Sequence, residues 1–384
     1  MSSNDIASWF GLRKPNYIIN PKMDAGFYAP RSGVNVQQLV ESLRVNLVTG
    51  VPPKRLFWGL YGGGKTHTLF KIARELEPIM PVKEVYVECP NVAKRSTFLH
   101  LYHDGILASF GQDFIVNLFE RLVDEVIRDK GAGRTAILSG LQAEVGDEEL
   151  ARGIAALVGA DADRKLLFWK FISGVEVSRN ELSMLGQTQD LVTAQPAKLA
   201  ENIVTIGRVV RKILKQTVLI VLDELDRLEY VGDETGSTFQ DAFRKLMDDN
   251  QLDVSILMGC SAASLKELPD VFGGAQGPVL SRIGKTNLVE IPQIQTPSIN
   301  DFIKSIIAHV RNETANVQEL IERAKKDTAE ALDQDLFPFT KEAIEKLKGT
   351  LAGIMTPREV TQRMTQAAGK AFLMNKSAVT QDAI

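Results

Sequence analysis

The sequence predicts an α/β fold: three layers built around a parallel sheet, interrupted by a helical insertion and followed by a C-terminal all-α domain. Three observations carry this expectation. Short apolar runs alternate with segments of helical spacing over most of the chain, which is the pattern of a parallel sheet covered by helices on both faces. Three consecutive glycines, Gly62, Gly63 and Gly64, separate the first apolar run from the helical segment after it. From Pro297 onward the spacing is helical, in at least three pieces.

The elements follow in order. Residues 1–34 carry Pro15, Pro21 and Pro30 with little periodicity and are expected to form an extended N-terminal arm. Val36, Leu39, Val40, Leu43 and Leu47 then share one helical face. "RLFWGL" is a buried strand bounded by prolines and glycines, and "THTLFKIARELEPI" is a helix that ends at Pro78. "KEVYVECP" is a second strand, and residues 106–129 form one amphipathic helix or two. "GAGR" breaks the pattern at 131 and opens a helical insertion or small subdomain, about 131–198, with "KLLFWKFISG" as its apolar centre. "KLAENIVTIGRVVRKILKQ" is a helix, "TVLIVLDELDRLE" the most apolar strand, "FQDAFRKLMDD" a helix, and "VSILMGCSA" and "TNLVEIP" two further strands. The α/β domain is thus expected over 35–296 and the helical domain over 297–384.

Composition narrows the function classes. The 384 residues are 44% hydrophobic and 24% charged, enough to bury real cores. The formal charge of −3 excludes a chain that attracts nucleic acid over its whole surface, so any such contact needs a local basic face. Two cysteines, Cys89 and Cys260, sit near apolar strands and read as core residues in a reducing compartment. No apolar run reaches bilayer length, and the N-terminus lacks a signal-peptide order, so no membrane association and a cytoplasmic location are expected. His100 and His103 stand at i, i+3, but nothing at metal-ligand spacing joins them, and no nucleophile triad is readable.

The glycines answer to a specific need. Gly59, Gly64, Lys65 and Thr66 fit G-x-x-x-x-G-K-[ST] between a strand and a helix. In such a loop, backbone N–H groups turn inward around phosphates, and side chains would obstruct them. The helix N-terminus adds partial positive charge. Lys65 would reach the β- and γ-phosphates, Thr66 would offer its hydroxyl to Mg²⁺, and Gly62 and Gly63 keep the loop low, with His67 next in line. The second piece is "LIVLDELD" at 219–226. There a buried strand ends in Asp223, suited to the Mg²⁺ shell, and Glu224, suited to polarising an attacking water.

Taken in this order, the parts resemble an AAA+ P-loop NTPase, and within that superfamily the initiator group that includes the origin-recognition ATPases. "DELD" and "VYVECP" carry the likeness, which spans roughly residues 27–375 less the insertion. The resemblance implies an ATPase with ATP and Mg²⁺ as ligands, and further site residues. Ser261 at the end of "VSILMGCS" matches a polar sensor where many members have Asn, with Ser264 as a rival. Arg282 in "PVLSRIGKTNLVEI" matches an arginine finger acting on a neighbouring subunit's nucleotide, although it could be a surface residue. Arg358 in "TPREV" matches a second sensor in the helical lid, behind the cap Thr356 and Pro357, although it could pair with Glu359. Glu88 stands where the family often has Asn, and its charge would repel Glu224. The adenine is expected near "GFYAPR", through Phe27, Tyr28 or Ala29.

What the chain does with ATP is open at this stage. One reading is a switch that forms homo-oligomers with ATP sites at subunit interfaces, acts on duplex DNA and regulates a protein effector in genome defence, transposition or replication. Residues 1–60 contain seven Lys or Arg against three Asp or Glu, and "GRVVRKILK" places Arg208, Arg211, Lys212 and Lys215 near one helix end. "FWKFISGVEVSRNELSMLG" is similar to a segment of P-loop ATPases from BREX-type phage-defence islands. A second reading is a remodelling ATPase acting on a protein, with Phe98 and Tyr102 after the second strand. A third is a scaffold that hydrolyses slowly and signals by binding nucleotide.

Overall fold

The computed structural model describes residues 3–29, 33–49, 51, 53–79, 81–89, 98–191, 196–230, 233–248, 253–268, 272, 277–351, 353 and 355–384. Helices α1 (Ser3–Trp9) and α2 (Val36–Thr49) precede strand β1 (Lys54–Gly59), helix α3 (Lys65–Leu76) and strand β2 (Val82–Glu88). A π-helical turn at Leu101–Leu107 leads to α4 (Gln112–Lys130), α5 (Arg134–Val145), α6 (Glu148–Ala155), α7 (Ala162–Ser173) and α8 (Arg179–Met184). Next come α9 (Pro196–Leu214), β3 (Thr217–Asp223), α10 (Asp233–Asp248), β4 (Val254–Ser261), α11 (Pro278–Ile283) and β5 (Leu288–Glu290). Helices α12 (Ile299–Val310), α13 (Val317–Ala324), α14 (Lys341–Thr350) and α15 (Pro357–Leu373) complete the chain. Two compact units share it: Val40–Trp58 with Glu75–Val289, and Met1–Leu39 with Gly59–Arg74 and Glu290–Ile384.

The first of these units holds the sheet, in the order β2-β3-β4-β1-β5. β3 pairs in parallel with β2 on one side and β4 on the other. Its residues from Val218 to Asp223 are all buried, which is why it reads as an unbroken apolar run; each such aliphatic side chain gains about 1.5–3 kcal/mol on burial. β2 lies at the edge, and its sequence alternates accordingly: Val85 and Val87 are buried while Glu84 and Glu88 are exposed. Cys89 and Cys260 are both buried and free.

The insertion is not a separate subdomain. Leu141, Ile154, Phe168 and Phe171 belong to the same apolar cluster as Ile220 and Met258 of the sheet. Phe168 of α7 meets Phe119 of α4 edge to face at 5.6 Å. Local signals start its helices: Asp147 accepts from Leu150 N at 2.6 Å to cap α6, and Ser178 with Glu181 forms a capping box at α8.

The second unit corrects the expected extended arm. Residues 3–9 form α1, and the segment after it packs into a cluster with the C-terminal helices, burying Phe10, Leu12 and Tyr17 among Ile303, Phe339, Val360 and Met364. Trp9 Nε1 donates to Lys376 O at 2.9 Å, and its ring meets Phe372 edge to face at 5.7 Å. The apolar side chains that fix this segment find their partners far along the chain, so local periodicity is weak. Nor is everything after Pro297 helical: between α13 and α14 the chain turns, and Leu332 bridges to Thr340. Among the described residues no helix is long and apolar enough to cross a membrane.

Helix α9 approaches the start of β4 closely at Gly207, where an added Cβ would lie 2.5 Å from Val254 Cγ2 and 2.7 Å from Asp253 O. A Gly207→Val substitution should therefore destabilise this unit by about 1–3 kcal/mol through overpacking. The check is a lowered urea midpoint at unchanged slope.

Candidate active site

The glycine loop belongs to the unit of Gly59–Arg74 and Glu290–Ile384. β1 ends at Gly59, a turn closes with Gly63 N donating to Leu60 O at 3.0 Å, and α3 begins at Lys65. Gly62 and Gly64 have φ of 74° and 87°, a left-handed backbone that other residues rarely adopt. Lys65 is buried, and its Nζ donates to Gly59 O and Leu60 O, both at 3.0 Å. The ammonium is thus held inside the loop by the loop's own carbonyls. With Thr66 and the first N–H groups of α3 beside it, this is a cradle suited to phosphate oxygens.

Arg358 reaches the same loop. Thr356 caps α15 by accepting from Glu359 N at 3.2 Å, with Pro357 in the first turn, as the sequence indicates. Arg358 N donates to Gly62 O at 3.3 Å, and an added Cβ on Gly62 would lie 3.0 Å from Arg358 Cβ. The Arg358 guanidinium lies over the Tyr61 ring, 4.7 Å from its centroid. Glu359 pairs instead with Arg363 at 2.9 Å.

Phe27, Tyr28 and His67 also lie together in this unit. Tyr28 Oη is 3.2 Å from Thr68 Oγ1, and His67 Nε2 is 3.2 Å from Asp24 O. Phe27 stacks on His309 at 4.1 Å. Pro30 and Arg31 of "GFYAPR" lie outside the described residues. His309 Nε2 in turn lies 2.9 Å from Asp24 Oδ1 and 2.6 Å from Arg13 Nη2. Burial lowers the His309 pKa, and Arg13 adds to that against the pull of Asp24. Burial would raise the Asp24 carboxyl, but bonds from His309 and Asn20 N, with Lys14, hold it below its ordinary value.

The acids lie in the sheet unit. Asp223 is buried at the end of β3; its Oδ1 accepts from Glu224 N at 2.9 Å and its Oδ2 from Tyr86 Oη at 3.2 Å. Hard carboxylate oxygen held this way suits Mg²⁺. Glu224 has φ of 57° and turns its carboxylate to Arg227. Arg227 also pairs with Glu88 at 2.8 Å and donates to Cys89 O at 3.1 Å. The repulsion expected between Glu88 and Glu224 is therefore bridged by a guanidinium. Burial pushes the Glu224 carboxyl above its ordinary range; Arg227 opposes this, while Glu88 and Asp223 reinforce it. Ser261 ends β4, and its N–H donates to Asp226 Oδ1 at 2.8 Å, whereas Ser264 Oγ is engaged by Glu267 at 3.2 Å. Arg282 is tied within its own chain to Asp248 at 2.6 Å and to Pro278 O at 3.2 Å.

Three neighbours escape the sequence reading: Tyr61, Tyr86 and Arg227. Only Arg227 had a local signal, since it stands three residues after Glu224, one helical turn on.

The His309–Asp24 pair gives a pH dependence with a defined sign. Both folded pKa values are depressed. The His309 contribution is complete above the unfolded value of about 6.5 and lost as pH falls below it; that of Asp24 follows below about 3.9. Thermal unfolding between pH 7.5 and 5.5 should show stability falling with acid, with a shallower slope in His309→Gln.

No family model matches the chain, and no curated protein matches its sequence. Among solved structures it is similar to the ORC2 protein of Aeropyrum pernix in ADPNP–ADP complexes, at 12% identity over 92% of this chain and 67% of that one, with a TM-score of 0.44. It is also similar to a Walker-type ATPase of Pyrococcus abyssi, at 13% identity over 94% of this chain and 77% of that one, with a TM-score of 0.36. Both likenesses are distant, and the chain's own geometry carries the assignment. A five-stranded β2-β3-β4-β1-β5 sheet, a glycine loop between β1 and α3, and paired acids at the end of β3 give this chain an α/β P-loop NTPase fold.

Proposed function

We propose that the chain is an ATP-hydrolysing AAA+ switch that forms homo-oligomers and acts on duplex DNA to regulate a protein effector. The observation that carries hydrolysis is the strand-end pair: Asp223 fixed by Tyr86 and Glu224 N, and Glu224 adjacent with its own carboxylate held by a cation. A protein that only senses nucleotide has no need of a second acid beside the first.

In this reading Lys65 and the loop N–H groups hold the β- and γ-phosphates. Thr66 and Asp223 would each offer an oxygen to Mg²⁺, which when bound would offset charge on the phosphate oxygens. Glu224 accepts the proton of the attacking water. Ser261 orients that water or the γ-phosphate, Arg358 leaves the Tyr61 ring for phosphate, and Tyr28 and His67 border the base. Arg282 exchanges Asp248 for the nucleotide of a neighbouring subunit.

Lys65→Ala should abolish ATP binding. Glu224→Gln should keep binding and lower turnover by about 10²–10⁴-fold. Arg282→Ala should lower it by about 10³-fold or more while each isolated subunit still binds ATP. ATP turnover per subunit, followed through a dilution series with and without duplex DNA, tests the assembly. Turnover that rises with concentration and again with DNA supports composite sites on a DNA scaffold; flat turnover indifferent to DNA removes Arg282 as a finger and favours the remodelling reading.

A basic cleft supports the DNA part. Arg208, Arg211, Lys212 and Lys215 line it with Gln216, Thr217 and Asp253. Lys212 pairs with Glu144 at 2.6 Å, Arg208 and Arg211 pair with Asp253 at 3.7 and 3.6 Å, and Lys215 Nζ donates to Lys212 O at 2.8 Å. In this reading the half-exposed guanidiniums of Arg208 and Arg211 meet the phosphates, with Lys215 beside them. Substituting Arg208 and Arg211 with Glu should weaken duplex binding and flatten its salt dependence by about one slope unit per lost contact. An unchanged slope removes this cleft as the DNA surface.

A further inference from the structure

We infer that Arg227 is a positioning residue for hydrolysis: a clip anchored on the end of β2 that fixes the direction of the Glu224 carboxylate. The inference rests on the ATPase reading above and adds to it a residue with no assigned role.

The argument is geometric. The turn after β3 is stitched to the strands on both sides. Asp226 accepts from Ser261 N at the end of β4. Arg227 reaches the other way, to Glu88 at 2.8 Å and to Cys89 O at 3.1 Å, through the same Nη1. Cys89 N itself donates to Asp223 O at 2.9 Å, which continues the β2–β3 pairing past the last strand residue. The guanidinium is therefore held by one side chain and one carbonyl of a strand-end backbone, not by flexible groups alone. Its other nitrogen, Nη2, faces Glu224.

Glu224 needs such a clip. Its φ of 57° turns the chain sharply away from β3, so β3 itself does not aim the side chain. Apart from Arg227, the charged groups that act on it among the described residues are Glu88 and Asp223, both of which repel it. The side chains of Arg227 and Glu224 are about one-third exposed, at 31% and 33%, and a pair so open to water contributes little to stability. What the pair supplies is direction. The guanidinium pairs as a cation with a carboxylate on each side, and its planar fork is more directional than the point charge of a lysine.

Four variants test the clip: Arg227→Ala, Arg227→Lys, Glu88→Gln and the double variant Arg227→Ala with Glu88→Gln. A misplaced catalytic group costs up to about 10²-fold. Arg227→Ala should therefore lower kcat about 10- to 100-fold, with affinity for a fluorescent ATP analogue within about twofold of the parent. Arg227→Lys should recover part of the loss. Glu88→Gln should give a smaller loss in the same direction, and the double variant should be no slower than Arg227→Ala alone, because both act through one contact. A second readout needs no nucleotide: amide hydrogen exchange across residues 223–227 should quicken in Arg227→Ala and Glu88→Gln.

Arg227→Ala turning over at the parental rate overturns the inference. So does a loss of affinity in step with kcat, or losses that multiply in the double variant. If Arg227→Ala fails to fold, Arg227→Lys and Glu88→Gln decide it alone, by the kcat-against-affinity split. A parent chain that hydrolyses no more ATP than Glu224→Gln overturns the ATPase reading, and this inference with it; a parent that hydrolyses beside an indifferent Arg227→Ala overturns this inference only.

Discussion

Parallel pairing of β2 with β3 sets Glu88 opposite Asp223, and Glu224 follows directly in the chain. Three carboxylates thus converge at the ends of two strands, where one of them is wholly buried. Like charges brought together out of water are costly, and burial of a carboxylate without partners is costlier still. The structure resolves this with one phenol, one backbone N–H and one guanidinium. Tyr86 and Glu224 N satisfy Asp223, and Arg227 stands between Glu88 and Glu224. Acids concentrated in this way are unfavourable for folding alone, which is what marks that end of the sheet as a candidate site.

The rest of the sheet unit serves that placement. β3 can end in a buried acid, Asp223, because both of its edges are paired and its other buried residues are apolar. Helix α9 and the insertion extend the same core, and the close approach at Gly207 fixes α9 to the start of β4. Because the insertion shares that core, changes within it will be felt by the sheet, whatever else it does.

The loop unit faces the opposite electrostatic problem. A buried ammonium, Lys65, is held by two carbonyls of the loop it belongs to, in a turn whose left-handed backbone at Gly62 and Gly64 favours glycine. The start of α15 rests on the same loop through Arg358 and Gly62, with Tyr61 as the surface on which the guanidinium lies. A cation over an aromatic face is held weakly enough to leave for an anion. The N-terminal segment completes this unit, burying Tyr17 and presenting Phe27 and Tyr28 beside His67.

By itself the sequence determined the features whose causes are local. The glycine loop is legible because left-handed backbone and bare N–H groups demand glycine at fixed spacing. β3 is legible because a strand buried on both faces must be an unbroken apolar run, and the start of α15 because Thr356 and Pro357 are a cap and a first turn. Only the tertiary structure decided the rest. Tyr86 meets Asp223 across 137 residues, Arg227 meets Cys89 across 138, and Trp9 meets Lys376 across 367. No short-range pattern records such pairs. Arg227 reads in the sequence as the charged end of the strand "TVLIVLDELDRLE", whereas β3 stops at Asp223, and α1 reads as part of an aperiodic arm, because what gives each its place is a partner that arrives only when the chain has folded.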